Sequence, residues 1–113
     1  MTKRCLILFL GCFLFLVAYP GDPAQAAAAT QVSFAGGDGS AIEKAILIEG
    51  APNEGVGIGA EYEWVRQHLP GFRVTGQRLL NTGGRAYDAL AGVLPNGEGR
   101  TVFFDITEFF GKY

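Results

Sequence analysis

Cysteine is absent after position 12, and histidine occurs once in 113 residues. Both cysteines, Cys5 and Cys12, fall in an N-terminal stretch that reads as a leader. Once it is removed, the chain has no thiol for nucleophilic catalysis, no zinc–thiolate site and no disulfide. His68, the single histidine, has no second histidine with which to build a zinc hydrolase site. It is expected as a surface residue that complements a helix C-terminus. There is no G-x-S-x-G elbow for a serine hydrolase. The glycine-rich run Gly36-Gly37-Asp38-Gly39-Ser40 lacks the Lys-Ser/Thr ending of a phosphate-binding loop.

The leader reading rests on order. Lys3 and Arg4 supply a short positive start, and Leu6 to Tyr19 is apolar apart from Gly11 and Cys12. Pro20-Gly21-Asp22-Pro23 then breaks the run, and Ala24-Gln25-Ala26 is an A-x-A cleavage signal. The apolar run is about 14 residues, short of the roughly 20 a spanning helix needs. A secretory signal peptide over residues 1–26 is therefore expected, with cleavage after Ala26 or one of the next alanines. The mature chain has no membrane span and is periplasmic or secreted. Nine Lys and Arg lose Lys3 and Arg4, and eleven Asp and Glu lose Asp22, which leaves seven against ten. A net charge near −3 without a basic patch argues against nucleic-acid binding.

From Ala27 the chain has room for one small domain with a thin core. Residues 27–41 are expected as a flexible linker in which Val32 and Phe34 alternate, as in a short edge strand. Lys44 to Glu49 reads as a strand, although periodicity also admits a helical turn from Ser40. Gly50 to Gly55 is a turn. Val56 to Leu69 reads as a helix with an apolar stripe of Ile58, Tyr62, Val65 and Leu69. Trp64 falls off that stripe. Pro70-Gly71 stops the helix. Three strands follow, Phe72 to Leu80, Arg85 to Leu94 and Arg100 to Thr107, separated by Asn81-Thr82-Gly83-Gly84 and by Pro95-Asn96-Gly97-Glu98-Gly99. The sum is a two-layer α+β domain over residues 42–113, with β-α-β-β-β order and one helix packed on an antiparallel meander.

A two-residue turn at Asn96-Gly97 predicts the last register. It sets Ala91 opposite Val102, Ala89 opposite Phe104 and Tyr87 opposite Ile106 on the helix-covered face. The open face then pairs Leu90 with Phe103 and Asp88 with Asp105. In the preceding strand Phe72, Val74, Gly76 and Leu80 take the core parity, while Arg73, Thr75 and Gln77 face outward.

Asp88 and Asp105, side by side, are the strongest site candidate: two carboxylates for a divalent cation or for acid–base work. The competing reading gives each a water, a backbone donor or one of Arg73, Arg78 and Arg85. The Gly36–Ser40 run could hold an anion on its backbone N–H groups or a cation on Asp38, or could simply form a turn. Phe109, Phe110 and Tyr113 crowd the C-terminus, either folding back onto the core or facing a partner. Gly36–Ser40 with Glu43-Lys44-Ala45, Ala60–Trp64 with Pro70-Gly71, and Tyr87-Asp88 with Phe104–Lys112 together resemble small exported proteins of Gram-negative bacteria with no assigned function. That resemblance implies a bacterial, periplasmic origin and carries over no catalytic residues.

The expectation is a non-enzymatic binding or accessory module, inhibitor- or immunity-like, without a cofactor. It would use Asp88, Asp105, Leu90, Phe103 and Gln77 toward a protein partner or a second copy. The alternative is a small metal- or carboxylate-dependent enzyme centred on Asp88 and Asp105.

Overall fold

Asn53 starts the helix. Its Oδ1 accepts the Val56 N–H at 2.9 Å, which satisfies one of the donors that a helix N-terminus leaves free. Helix α1 then runs Glu54–His68, with Glu54 in the first turn and Arg66 and His68 in the last, the order that suits the helix dipole. The Leu69 N–H closes it onto the Val65 carbonyl at 2.8 Å before Pro70 and Gly71 turn the chain.

These details come from a computed structural model that describes residues 31–113. The expected leader and the start of the expected linker lie outside the described residues. Among those described, Val32–Tyr113 form one compact unit, and no helix is long and apolar enough to cross a membrane.

The strands are β1 Ser33–Gly36, β2 Ile46–Glu49, β3 Arg73–Thr82, β4 Arg85–Val93 and β5 Gly99–Asp105. They form one sheet in the order β1-β2-β5-β4-β3. β5, β4 and β3 make the expected antiparallel meander, β2 adds to β5 in parallel, and β1 closes the edge antiparallel to β2. The fold is α+β, with the single α-helix of the described residues between β2 and β3 in the chain. The edge strand suggested by Val32 and Phe34 is therefore present within the stretch expected as linker. The helical turn admitted from Ser40 is present too, as a 3-10 turn at Ile42–Lys44.

The buried face of α1 differs from the expected stripe. Gly57, Ala60, Glu61, Trp64 and Val65 are buried, while Ile58 is 37% exposed. Tyr62 and Leu69 pack at the border of the core. Trp64, read as off the stripe, lies in the core, edge-on to Phe104 at 5.8 Å between ring centroids. Ile46, Ile48, Leu90, Val102, Phe104 and Ile106 supply the sheet side.

The β4–β5 register is one residue away from the expected one. Asp88 lies opposite Phe104, Ala89 opposite Phe103 and Leu90 opposite Val102. The turn explains the slip. Leu94 N–H donates to the Glu98 carbonyl, and Gly97 N–H donates to the Leu94 carbonyl, each at 2.8 Å. Pro95, Asn96 and Gly97 thus form a three-residue loop, with Gly97 at φ +89°. Such a loop ends in a left-handed residue where glycine is favoured. One residue more in the loop turns β4 over: Ala86, Asp88 and Leu90 face α1, and Tyr87, Ala89 and Ala91 face away.

A bulge does the same to β3. Val74 pairs with Gly92, but Gly76 pairs with Ala91, so Thr75 is the extra residue. Phe72 and Val74 pack against the core as expected. Beyond the bulge Gln77 and Leu79 take the helix side, and Gly76 and Leu80 take the other.

Candidate functional site

The two inversions determine which side chains meet. Asp88 and Asp105, expected as neighbours, lie on opposite faces of the sheet. The carboxylate pair proposed for metal or acid–base work does not form, and the enzyme reading centred on it loses its geometry. Among the described residues no cluster of three or more His, Cys, Asp or Glu is placed to hold a metal ion.

Asp105 sits on the face away from the helix. Its Oδ2 accepts Arg85 Nε at 2.7 Å, and its Oδ1 accepts the Thr107 hydroxyl at 2.7 Å and the Thr107 N–H at 3.1 Å. Burial alone would raise its carboxyl. The bonds from Arg85 and then Thr107 outweigh burial and hold it below the usual carboxylate range. This is the arginine-partnered alternative, and it serves the strand end. Phe103 is half-buried on the same face, opposite Ala89. Leu90 faces the other way and is fully buried in the core, so it presents nothing to a ligand.

Asp88 faces α1 and is 3% exposed. Its Oδ2 accepts Gln77 Nε2 at 2.7 Å, a bond that exists because the Thr75 bulge brings Gln77 to this side. The residue that meets Asp88 from the helix is Glu61, which carries no obvious signal in the sequence. Glu61 is 0% exposed, and neither carboxyl oxygen completes a hydrogen bond. Burial pushes its pKa up to about 10, with a carboxyl–carboxyl interaction with Asp88 and the charge of Asp88 adding to the shift. Glu61 is therefore protonated at neutral pH. The interaction brings the two carboxyls within coupling range without the distance and angle of a formed bond. In the sequence only the place of Glu61 four residues before Val65, a member of the expected stripe, sets it toward that side of the helix.

Beside this pair opens a groove of about 170 Å³, lined by Glu54, Ile58, Gln77, Leu79, Asp88, Ile106, Phe109 and Phe110. It exists because α1 packs closest to β2, leaving the helix side of the β3 edge uncovered. The C-terminal turn forms its far wall. Gly111 N–H donates to Glu54 Oε2 at 2.6 Å, and Glu54 N–H donates to the Lys112 carbonyl at 2.8 Å. Phe109 folds back and is 1% exposed, seated on Gly57, where a Cβ would overlap its ring. Phe110 and Tyr113 remain outside, at 41% and 99% exposed.

The glycine-rich run forms a turn. Asp38 Oδ1 accepts the Ser40 hydroxyl at 2.7 Å and the Ser40 N–H at 3.0 Å, and these bonds lower its pKa. The turn borders a second cavity, of about 250 Å³, with Trp64, His68 and Arg100. His68 is exposed, as expected. It stacks on Trp64 at 4.2 Å between centroids, with Nδ1 3.0 Å from the Trp64 carbonyl.

Comparison of the chain with protein-family models, with curated proteins and with solved structures finds no match.

Proposed function

We propose that the protein is an exported, periplasmic binding module without catalysis of its own, and that it takes an apolar segment of a protein partner in the groove between α1, β3 and the C-terminal turn. An inhibitor- or immunity-type role belongs to this class. One observation carries the reading: Ile58, Leu79 and Phe110, at 37%, 48% and 41% exposed, all line this one groove. Scattered exposed apolar residues need no explanation, but apolar side chains converging on one concave site mark a binding surface. The leader-like N-terminus, the absence of mature thiols and the lone, exposed histidine favour binding over chemistry.

The test is site-specific photo-crosslinking in cells that express the full chain. A crosslinker at Leu79 should give a discrete protein adduct that Phe110→Asp removes, whereas one at Tyr87 on the opposite face should not. An adduct from Tyr87 alone would move the site to the other face of the sheet. No adduct from either position would remove the reading.

A further inference from the structure

The groove is apolar along its walls and acidic at its floor. Ile58, Leu79 and Phe110 form the walls, and the only ionisable groups that line it are Glu54 and Asp88. Glu54 is occupied by the Gly111 N–H. Asp88 receives one hydrogen bond on one oxygen, from Gln77. Behind Asp88 stands Glu61, fully buried, with both carboxyl oxygens unpartnered. Asp88, with its Oδ1 unbonded, is reached through an apolar slot that no basic residue lines, and it complements a compact cation on an apolar stem. A lysine side chain has that form, a point charge with three donors on four methylenes.

We infer that the groove accepts a lysine of the partner's segment, the stem lying between Ile58, Leu79 and Phe110 and the ammonium meeting Asp88. This inference rests on the groove being the binding site. It adds the chemistry by which a partner is selected: flanking apolar residues seat on the walls, and a lysine is preferred over a neutral or acidic residue at the centre.

Three terminally blocked tripeptides test it by NMR titration of the full chain: leucine-lysine-leucine, the same peptide with norleucine at the centre, and the same with glutamate. A charge-assisted bond to a buried carboxylate predicts lysine over norleucine by roughly ten- to hundredfold, with glutamate weakest. Amide shifts should centre on Ile58, Leu79 and Phe110. Asp88→Asn should bring lysine and norleucine to parity while keeping norleucine binding. If Asp88→Asn fails to fold, the order of the three peptides on the unaltered protein still decides. Equal lysine and norleucine binding with shifts in the groove would overturn the cation inference and leave the groove standing. Shifts confined to the Tyr87 face, or none with any peptide, would overturn both.

Discussion

Glu61 on α1 and Asp88 on β4 bring two carboxyl side chains together beneath the helix, and the protonated Glu61 has no hydrogen bond to satisfy it. The other charged residues of α1, Glu54, Glu63 and Arg66, reach solvent. At Glu61 the helix turns a carboxyl into the core, against the one strand aspartate that faces inward.

A pH dependence follows from that pair. The folded pKa of Glu61, about 10, lies far above its ordinary value of 4.5, so between those values the folded protein holds a proton that the unfolded chain releases. Stability should fall as pH rises through this window, with a limiting slope of about 1.4 kcal/mol per pH unit. Glu61→Gln keeps the shape and removes the titration. Urea midpoints of the variant should be flatter across pH 6 to 9 and exceed those of the parent at the alkaline end. Parallel pH profiles for the two proteins would show that Glu61 is not the group responsible.

The helix, the meander, the order of the elements and the inward face of β5 are all legible in the sequence, because Val102, Phe104 and Ile106 alternate cleanly. The inward face of β4 is not. Both of its faces are apolar, Leu90 with Ala86 on one and Ala89 with Ala91 on the other, so the pattern cannot rank them. The choice then falls to loop length, and Asn96-Gly97 fits a two-residue turn as well as the three-residue loop that forms. In β3 nothing marks Thr75 as an extra residue, since a bulge needs only local room. Glu61 was hidden by its charge: a glutamate on an amphipathic helix is read as solvated unless a partner across the sheet is known. The groove depends on the first two of these features, which is why the sequence sets Asp88 and Gln77 on the open face and Ile58 on the buried stripe, and does not single out Leu79 at all.

Asp105 behaves in the opposite sense to Glu61. Its folded pKa lies below the ordinary 3.8, so its contribution to stability is present above that value and is lost as pH falls through the folded pKa. The Arg85 side chain is 47% exposed, and solvent screens the pair. Arg85→Gln should therefore lower stability only slightly at neutral pH. Asp105→Ala also strips the acceptor from the Thr107 hydroxyl and N–H, and should cost about 1–3 kcal/mol. Denaturation at pH 7 compares the two; a larger loss for Arg85→Gln would mean that the ion pair, not the Thr107 bonds, holds the strand end.

The two adjacent phenylalanines should separate stability from binding. Phe109 is buried against Gly57, so Phe109→Ala should cost about 3–5 kcal/mol and loosen the groove wall. Phe110→Ala removes a half-exposed ring and should change stability by under about 1 kcal/mol, while weakening the lysine-centred peptide. Thermal melts and the NMR titration read the two effects independently. Equal destabilisation by both substitutions would contradict the placement of Phe110 outside the core.

Gly57 and Gly59 give the sharpest contrast because they share a helix and a residue type. Alanine favours a helix interior over glycine by about 1 kcal/mol at either position. At Gly59 nothing lies within 4 Å of the added methyl, so Gly59→Ala should stabilise by about 0.5–1 kcal/mol. At Gly57 the methyl enters the Phe109 ring. Relief would require moving the C-terminal turn, which the Glu54–Gly111 and Glu54–Lys112 hydrogen bonds hold in place. Overpacking of this kind costs about 1–3 kcal/mol, so Gly57→Ala should be net destabilising despite its better propensity. Phe109→Leu should recover part of the loss in the double variant, because the smaller side chain makes room for the methyl. Urea denaturation of the four proteins, with the parent as reference, gives the coupling directly. Equal stabilisation by both alanines would mean that the C-terminal turn does not dock on α1, and the groove would lose its far wall.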